Sequence, residues 1–495
     1  MHPHAAGGAG KATAPYGSWQ SPISAAAVSA AGRTAEGLAV AGDGRLVWVE
    51  TRPEEGGRAV LVKEPAEPGG KAQDVTPQGF AVRSLAQEYG GGAFAVQGDA
   101  VVFSNYTDQR LYKQTIGDNL PLPLTPNYAG SVVRYADGVF DPHFQRFVTI
   151  MEDHRHNSSI PVTTIAAVRI SDQDVEEPTM LVSGSDFYAF PRVDPTKKRM
   201  AWIEWNNPNM SWDKSELWVG YFNEKGEVTK RICVAGGDPT LVESPTEPKW
   251  SSKGELFFIT DRRSGFWNIY KWNEQNNVVT ALYPLDAEFS KPMWIFGVSS
   301  YDFLGKDDSS HKIIFCYRQN GKSYIGVLDH DLESFSKIGI PFSSVNNIVS
   351  GDESFFIEGA SATLPLSIAK VDLQMKHEGS WILVCSTGQA EDGHLLMLTT
   401  GAAQIADLAS LRAGIHKFEA YYIDNLVGNK QAYFERSPIN FVDKFSCLVI
   451  LFQGLEDTAE NIKFTLEQEM VFFARLVGKF KVADDISPIK IENFD

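Results

Sequence analysis

The chain has 495 residues, 43% of them hydrophobic and 12% aromatic, which excludes a largely disordered protein and leaves room for two domains, or one repeat domain plus a smaller one. Its formal net charge of −17, with a sequence pI near 5.1, gives no long-range field for phosphate backbones or anionic lipid, so neither a nucleic-acid nor a membrane partner is expected. Cys233, Cys316, Cys385 and Cys447 lie without CxxC spacing, which argues against a zinc site and a disulfide framework and fits a reducing compartment.

Residues 1–37 form a leader and N-terminal segment. The start, MHPHAAGGAGKATAPYG, has no apolar signal core, and no apolar run in the chain reaches the roughly 18–20 residues that span a bilayer. The lack of acidic residues before Glu36 is the one feature shared with a transit peptide. The expected location is cytoplasmic, with the chloroplast as the alternative.

From 38 to 371 the pattern is period two, in short runs bounded by Gly, Asp, Asn and Pro. One unit of strand, tight turn, strand, polar turn, strand recurs at about 45 residues, the period of a propeller blade. LAVAGDGRLVWVETRPEEGGRAVLVKE is the first copy and IVSGDESFFIEGASATLPLSIAKVD the last of seven. Each small sheet has two apolar faces and buries them only against its neighbours, which requires a closed ring of copies. Trp48, Phe103, Trp202, Phe257, Phe258, Phe315 and Phe355 fall on the second strand of their units, where packing between blades needs bulk, and are read as core.

After Asp372 neither period is clean. The stretch 418–444 is polar-aromatic and partly helical in pattern, and CLVILFQGLEDTAENIKF (447–464) runs from an apolar strand at 448–452 through Gly454 to Glu456 and Asp457. A carboxylate at the end of a buried parallel strand is where α/β enzymes place catalytic groups. The last segment carries Ile462, Leu466, Met470, Phe473 and Val477 at helical spacing and predicts an amphipathic helix with a broad apolar face, left uncovered by so short a remnant.

APYGSWQSPIS near the start, QEYGGG at 87–92, WNNPNMSWDKSELWV at 205–219, DRRSGFWNIY at 261–270 and SPINFVDKFSCLVILFQGLED at 437–457 resemble the prolyl oligopeptidase family of serine peptidases. They look most like its acylaminoacyl-peptidase and dipeptidyl-peptidase branch, in its plant form. The resemblance covers 14–372, resumes near Ile405 and runs to the C-terminus. It implies a mainly β fold: a seven-bladed β-propeller at 38–371, followed at 372–495 by an incomplete α/β-hydrolase remnant. It further implies cleavage of short peptides near a free or acylated N-terminus, with Asp457 as the triad acid. By the same resemblance Glu88 is a candidate ligand for a peptide amine, and Trp212 and Asp213 are candidates to line the central cavity.

The family's other catalytic parts are missing. No G-x-S-x-G elbow occurs; the nearest approach, Gly359 to Thr363, falls in the last propeller copy and lacks the final glycine. Where the elbow should fall, the chain reads STGQAEDGHLL from Ser386. The His-Gly-Gly oxyanion loop is absent, and no histidine follows Asp457; His394 and His416 precede it and are read as solvated loop residues. The expectation is a truncated, catalytically incompetent homologue in which 372–398 is read out of the family's frame. The alternative is a non-catalytic propeller module that pairs with a full-length paralogue. Nothing in the sequence points to a metal or an organic cofactor.

Overall fold

The computed structural model describes residues 33–386 apart from 68–69, 119, 157–159, 172–173, 306–311, 330–333, 352–353 and 373–380, followed by 408–409, 412, 416–437, 439–441 and 459–476, with 24–26 at the start. Seven four-stranded antiparallel sheets follow one another along the chain. The first comprises Thr34–Val40, Leu46–Arg52, Arg58–Lys63 and Gln73–Asp74, and the seventh Ser344–Ser350, Ser354–Ala360, Ser367–Asp372 and Trp381–Ser386. The first strands of neighbouring sheets lie against one another at six of the seven joins, including that of the first and seventh, and the fifth and sixth sheets pack through Phe257, Ile259, Tyr301 and Phe315, so the sheets close into a seven-bladed propeller with the first strands around its axis.

The second strand of each blade is covered on both faces because a blade lies on either side of it. Trp48, Phe103, Trp202, Phe257, Phe258, Phe315 and Phe355 are all within 1% of full burial, as their positions predict. Each such side chain contributes about 1.5–3 kcal/mol of transfer free energy. Fourth strands face water on one side and read accordingly: Val228–Ala235 is exposed through Thr229, Lys230 and Arg231. The seam between first and last blades is apolar, with Trp48, Val60 and Val62 against Phe356 and Ile368, and among the described residues no strand is shared across it.

The propeller is longer than its sequence pattern. Its strands run from Thr34 to Ser386, not from 38 to 371, because WILVCS supplies the outer strand of the seventh blade, in register Val371↔Trp381 to Ser367↔Ser386. A continuous apolar run without alternation, eight residues beyond the preceding strand, gave no period-two signal. The stretch 381–386 is therefore propeller and not the start of a hydrolase sheet.

Beyond the ring, α1 (Lys417–Val427) is capped by His416, and α2 (Lys430–Arg436) is capped by Asn429, whose side chain accepts the Ala432 N–H at 3.0 Å. The propeller with α1 and α2 forms one compact unit (33–52 and 58–447), and a second unit (1–32, 53–57 and 448–495) contains α3, Ala459–Leu476. On α3 the buried side chains include Gln468, Val471 and Phe472, while Leu466 is half-buried and Met470 is 40% exposed. Of the expected apolar row, Ile462, Phe473 and Val477 lie outside the described side chains. The strand expected at 448–452 lies outside the described residues. No described helix is long and apolar enough to cross a membrane.

Candidate functional site

The loop 85–92 of the second blade, QEYGGG at its end, has left-handed backbone on both sides of Tyr89. Gln87 and Glu88 have φ of 54° and 66°, and Gly90, Gly91 and Gly92 continue at 68°, 84° and 53°. Non-glycine residues adopt this conformation at a cost, so other contacts must hold it. Local ones come from the Glu88 N–H to the Leu85 carbonyl and the Gly90 N–H to the Ala86 carbonyl, both at 3.0 Å. Gly90 accepts the Phe296 N–H at 2.9 Å, which joins the loop to the 287–298 segment between the fifth and sixth blades.

This geometry presents Tyr89 toward α1. Its ring lies 5.3 Å from Trp294 and 6.1 Å from Phe418. Trp294 in turn contacts Trp212 at 4.7 Å and Tyr422 at 4.9 Å, and Phe418 stands edge-on to Phe187 at 5.7 Å. Phe418 and Tyr422 are four apart on α1 and so share one face. Further along, the Lys417 ammonium donates to the Asp186 carbonyl at 2.7 Å, and the Asn425 amide donates to the Pro208 carbonyl at 3.1 Å. The result is an aromatic wall between propeller loops and α1, at which Tyr89 remains 41% exposed.

Two carboxylates stand at this wall. Burial, then the Glu419 carboxylate that its hydroxyl contacts, and then Glu88 push the Tyr89 phenol up to about 12. Glu88 is exposed and Glu419 half-buried. An exposed aromatic face beside carboxylates suits an ammonium group, held by cation–π attraction and by charge.

Behind the wall is a buried polar cluster. The Glu152 side chain is fully buried; its Oε1 meets His154 Nε2 at 2.7 Å, and its Oε2 accepts the Gln87 N–H at 3.0 Å and faces His416 Nε2 at 3.2 Å. Arg134 Nη1 is 3.6 Å from Oε1. Burial pushes the Glu152 carboxyl upward, but the His154 and His416 rings that face it outweigh this and hold the group well below the usual carboxylate range.

Two histidines and a glutamate, with ligand atoms within 4.8 Å of one another, form a zinc-type donor set. The hydrogen bonding argues otherwise. His416 Nδ1 accepts the Phe418 N–H at 3.0 Å, so a neutral ring carries its proton on Nε2, the atom that would have to bind the metal. Metal-bound histidines instead donate from the other nitrogen. The cluster is read as a hydrogen-bonded carboxylate clamp.

Of the residues singled out in the sequence, Glu88 and Trp212 both border the aromatic wall. Asp213 is exposed, and its carboxylate accepts the Met210 N–H of its own loop at 3.0 Å. His416 is buried at a helix cap instead of solvated. Ser361 lies in the turn between strands Ser354–Ala360 and Ser367–Asp372 of the seventh blade, and Ser386 ends that blade's outer strand. Asp457 and His394 lie outside the described residues. Tyr89, Trp294, Phe418, Tyr422, Glu152 and His154 carried no sequence signal of a shared site, since they are brought together only by ring closure and by α1. A separate cavity of about 420 Å³ lies at the sixth blade, between Lys322–Ile325 and Lys337–Ser343, and none of these residues lines it.

No protein-family model matches the sequence, and no curated protein matches it. Among solved structures, the chain is similar to a puromycin-hydrolyzing peptidase of Mycobacterium tuberculosis, with a TM-score of 0.84 and 24% identity over 97% of this chain and 100% of that one. It is similar to a puromycin hydrolase mutant complexed with PGG, with a TM-score of 0.67 and 27% identity over 76% of this chain and 57% of that one. It also resembles prolyl oligopeptidase B from Galerina marginata, with a TM-score of 0.53 and 11% identity over 73% of this chain and 52% of that one. The chain thus spans little more than half the length of the last two.

Proposed function

We propose that the chain is a serine peptidase homologue of the prolyl oligopeptidase family, of its acylaminoacyl-peptidase and dipeptidyl-peptidase branch in plant form. In this reading it binds the free amino terminus of short peptides or aminoacyl amides without hydrolysing them. The observation that carries the reading is the aromatic wall of Tyr89, Trp212, Trp294, Phe418 and Tyr422, set beside Glu88 and Glu419 between a seven-bladed ring and α1. Puromycin, the compound named with two of the structural neighbours, is an aminoacyl nucleoside with a free amine next to an aromatic side chain. That chemistry matches the wall: an ammonium meets carboxylates and ring faces, and an aromatic side chain stacks on Trp294 and Tyr422.

The lack of hydrolysis rests on the chain between the propeller and Asp457. Acyl transfer needs a nucleophile exposed by a strained turn and donors aimed at the oxyanion, and loss of a single oxyanion donor costs about 10² to 10³ in rate. No G-x-S-x-G turn precedes Asp457, and no His-Gly-Gly loop is present. Purified protein is expected to bind alanyl p-nitroanilide and puromycin in calorimetry, to release no nitroaniline, and to take up no fluorophosphonate probe on serine. A labelled serine with turnover sinks the inactive reading; absence of any binding sinks the amine-binding one.

A further inference from the structure

The wall is assembled from two parts of the chain far apart in sequence, the 85–92 loop and α1, and both converge on one buried side chain. The Glu152 carboxylate accepts the N–H of Gln87, the residue before Glu88 and two before Tyr89, at 3.0 Å. Through the same oxygen it faces Nε2 of His416 at 3.2 Å, and His416 caps α1 two residues before Phe418 and three before Glu419. Arg134, 3.6 Å from the other oxygen, donates from the same nitrogen to the Leu85 carbonyl at 2.8 Å and so grips the loop a second time. His154, at 2.7 Å, fixes the carboxylate from just past the end of the strand that carries Glu152.

The loop needs such a hold, because Gln87 and Glu88 both occupy left-handed backbone that non-glycine residues leave unless constrained. Without the Glu152 carboxylate, the buried Gln87 N–H has no acceptor in its direction, and the His416 ring, whose Nδ1 is committed to the Phe418 N–H, faces no counter-group. Loop and helix would then relax independently, and the spacing between Tyr89 and Phe418, set at 6.1 Å, would no longer be fixed.

We infer that Glu152 is a positioning residue that couples the Glu88–Tyr89 loop to α1 and thereby sets the selectivity of the wall for a free α-amine. The inference rests on the amine-binding reading for its selectivity clause only.

The test compares wild type with Glu152→Leu and Glu152→Gln. Affinity for alanyl p-nitroanilide and for its N-acetyl analogue is read by calorimetry, and hydrogen exchange is followed at the amides of 87–92, 416–422 and the third-blade interior around Val148. Wild type is expected to prefer the free amine, and Glu152→Leu to lose roughly tenfold or more in affinity together with that preference. Glu152→Gln should recover most of both, because its amide oxygen still accepts from Gln87 while His154 can switch tautomer. Exchange should quicken in both 87–92 and 416–422 in the leucine variant and stay unchanged at Val148. Quickened exchange in one segment alone, equal quickening throughout the blade, or unaltered affinity in a folded leucine variant overturns the positioning role. Wild type that binds neither compound overturns the amine reading, while the exchange data still decide whether Glu152 couples loop and helix.

Discussion

Asp137 of the third blade and Arg192 of the fourth form an ion pair at 2.7 Å, and the same carboxylate accepts the Phe190 N–H at 2.6 Å. Asp137 itself bulges out of its strand at φ 52° and donates its N–H to the Gly92 carbonyl at 2.8 Å, so one residue links three successive blades. Asp137→Ala is expected to destabilise the propeller by about 3 kcal/mol, the lower end for breaking a buried pair because Arg192 retains some solvent. Asn tolerates left-handed backbone and keeps an acceptor for Phe190, so Asp137→Asn should cost about half as much. Urea midpoints of the two variants measure the difference; equal costs would place the effect in backbone geometry and not in charge.

Glu358 offers a test of sign. Burial pushes its carboxyl above the ordinary range, against hydrogen bonds from Asn347 at 2.9 Å and Asn346 at 3.1 Å. The folded chain holds this proton more tightly than the unfolded chain, so the contribution of Glu358 to stability falls as pH rises above 4.5 toward its folded value. Glu358→Gln removes that dependence. Relative to wild type, the variant should gain stability between pH 4 and pH 8 in denaturation curves at the two values. A wild-type-to-variant difference that is the same at both pH values contradicts the assignment.

Gly91 has φ 84°, and a Cβ there would sit 2.4 Å from the Phe296 carbonyl oxygen, so neither conformation nor space admits a side chain. Gly91→Ala is expected to cost about 2–3 kcal/mol and to expose Trp294, seen as a red shift of tryptophan emission. Gly44→Ala is the control: its φ is 79°, but nothing lies within 4 Å of the added carbon. It should cost about 1–2 kcal/mol without a spectral change. Matching shifts in the two variants would separate Trp294 from the Gly91–Phe296 contact.

The blades were legible in the sequence because each is local: the turn residues and the bulk on second strands repeat within tens of residues, and Trp48 through Phe355 are buried where the period puts them. The outer strand Trp381–Ser386 was not, since a uniformly apolar segment carries no alternation. Of the wall, Glu88 and Trp212 were visible as residues within motifs. Glu152 was not, because an acidic residue near the end of a strand has an unremarkable pattern until His416 meets it from 264 positions away in the sequence.

The seam between the first and seventh blades has a temporal consequence. Every sheet is a consecutive meander, so six of the seven inter-blade faces join neighbours in the chain and can form in order as the polypeptide is made. The face that joins Trp48 to Phe356 waits until more than three hundred further residues have emerged. Until then, both apolar end faces stand open to water. The half-built ring therefore carries two apolar end faces throughout its synthesis, and a net charge of −17 opposes the association of such intermediates.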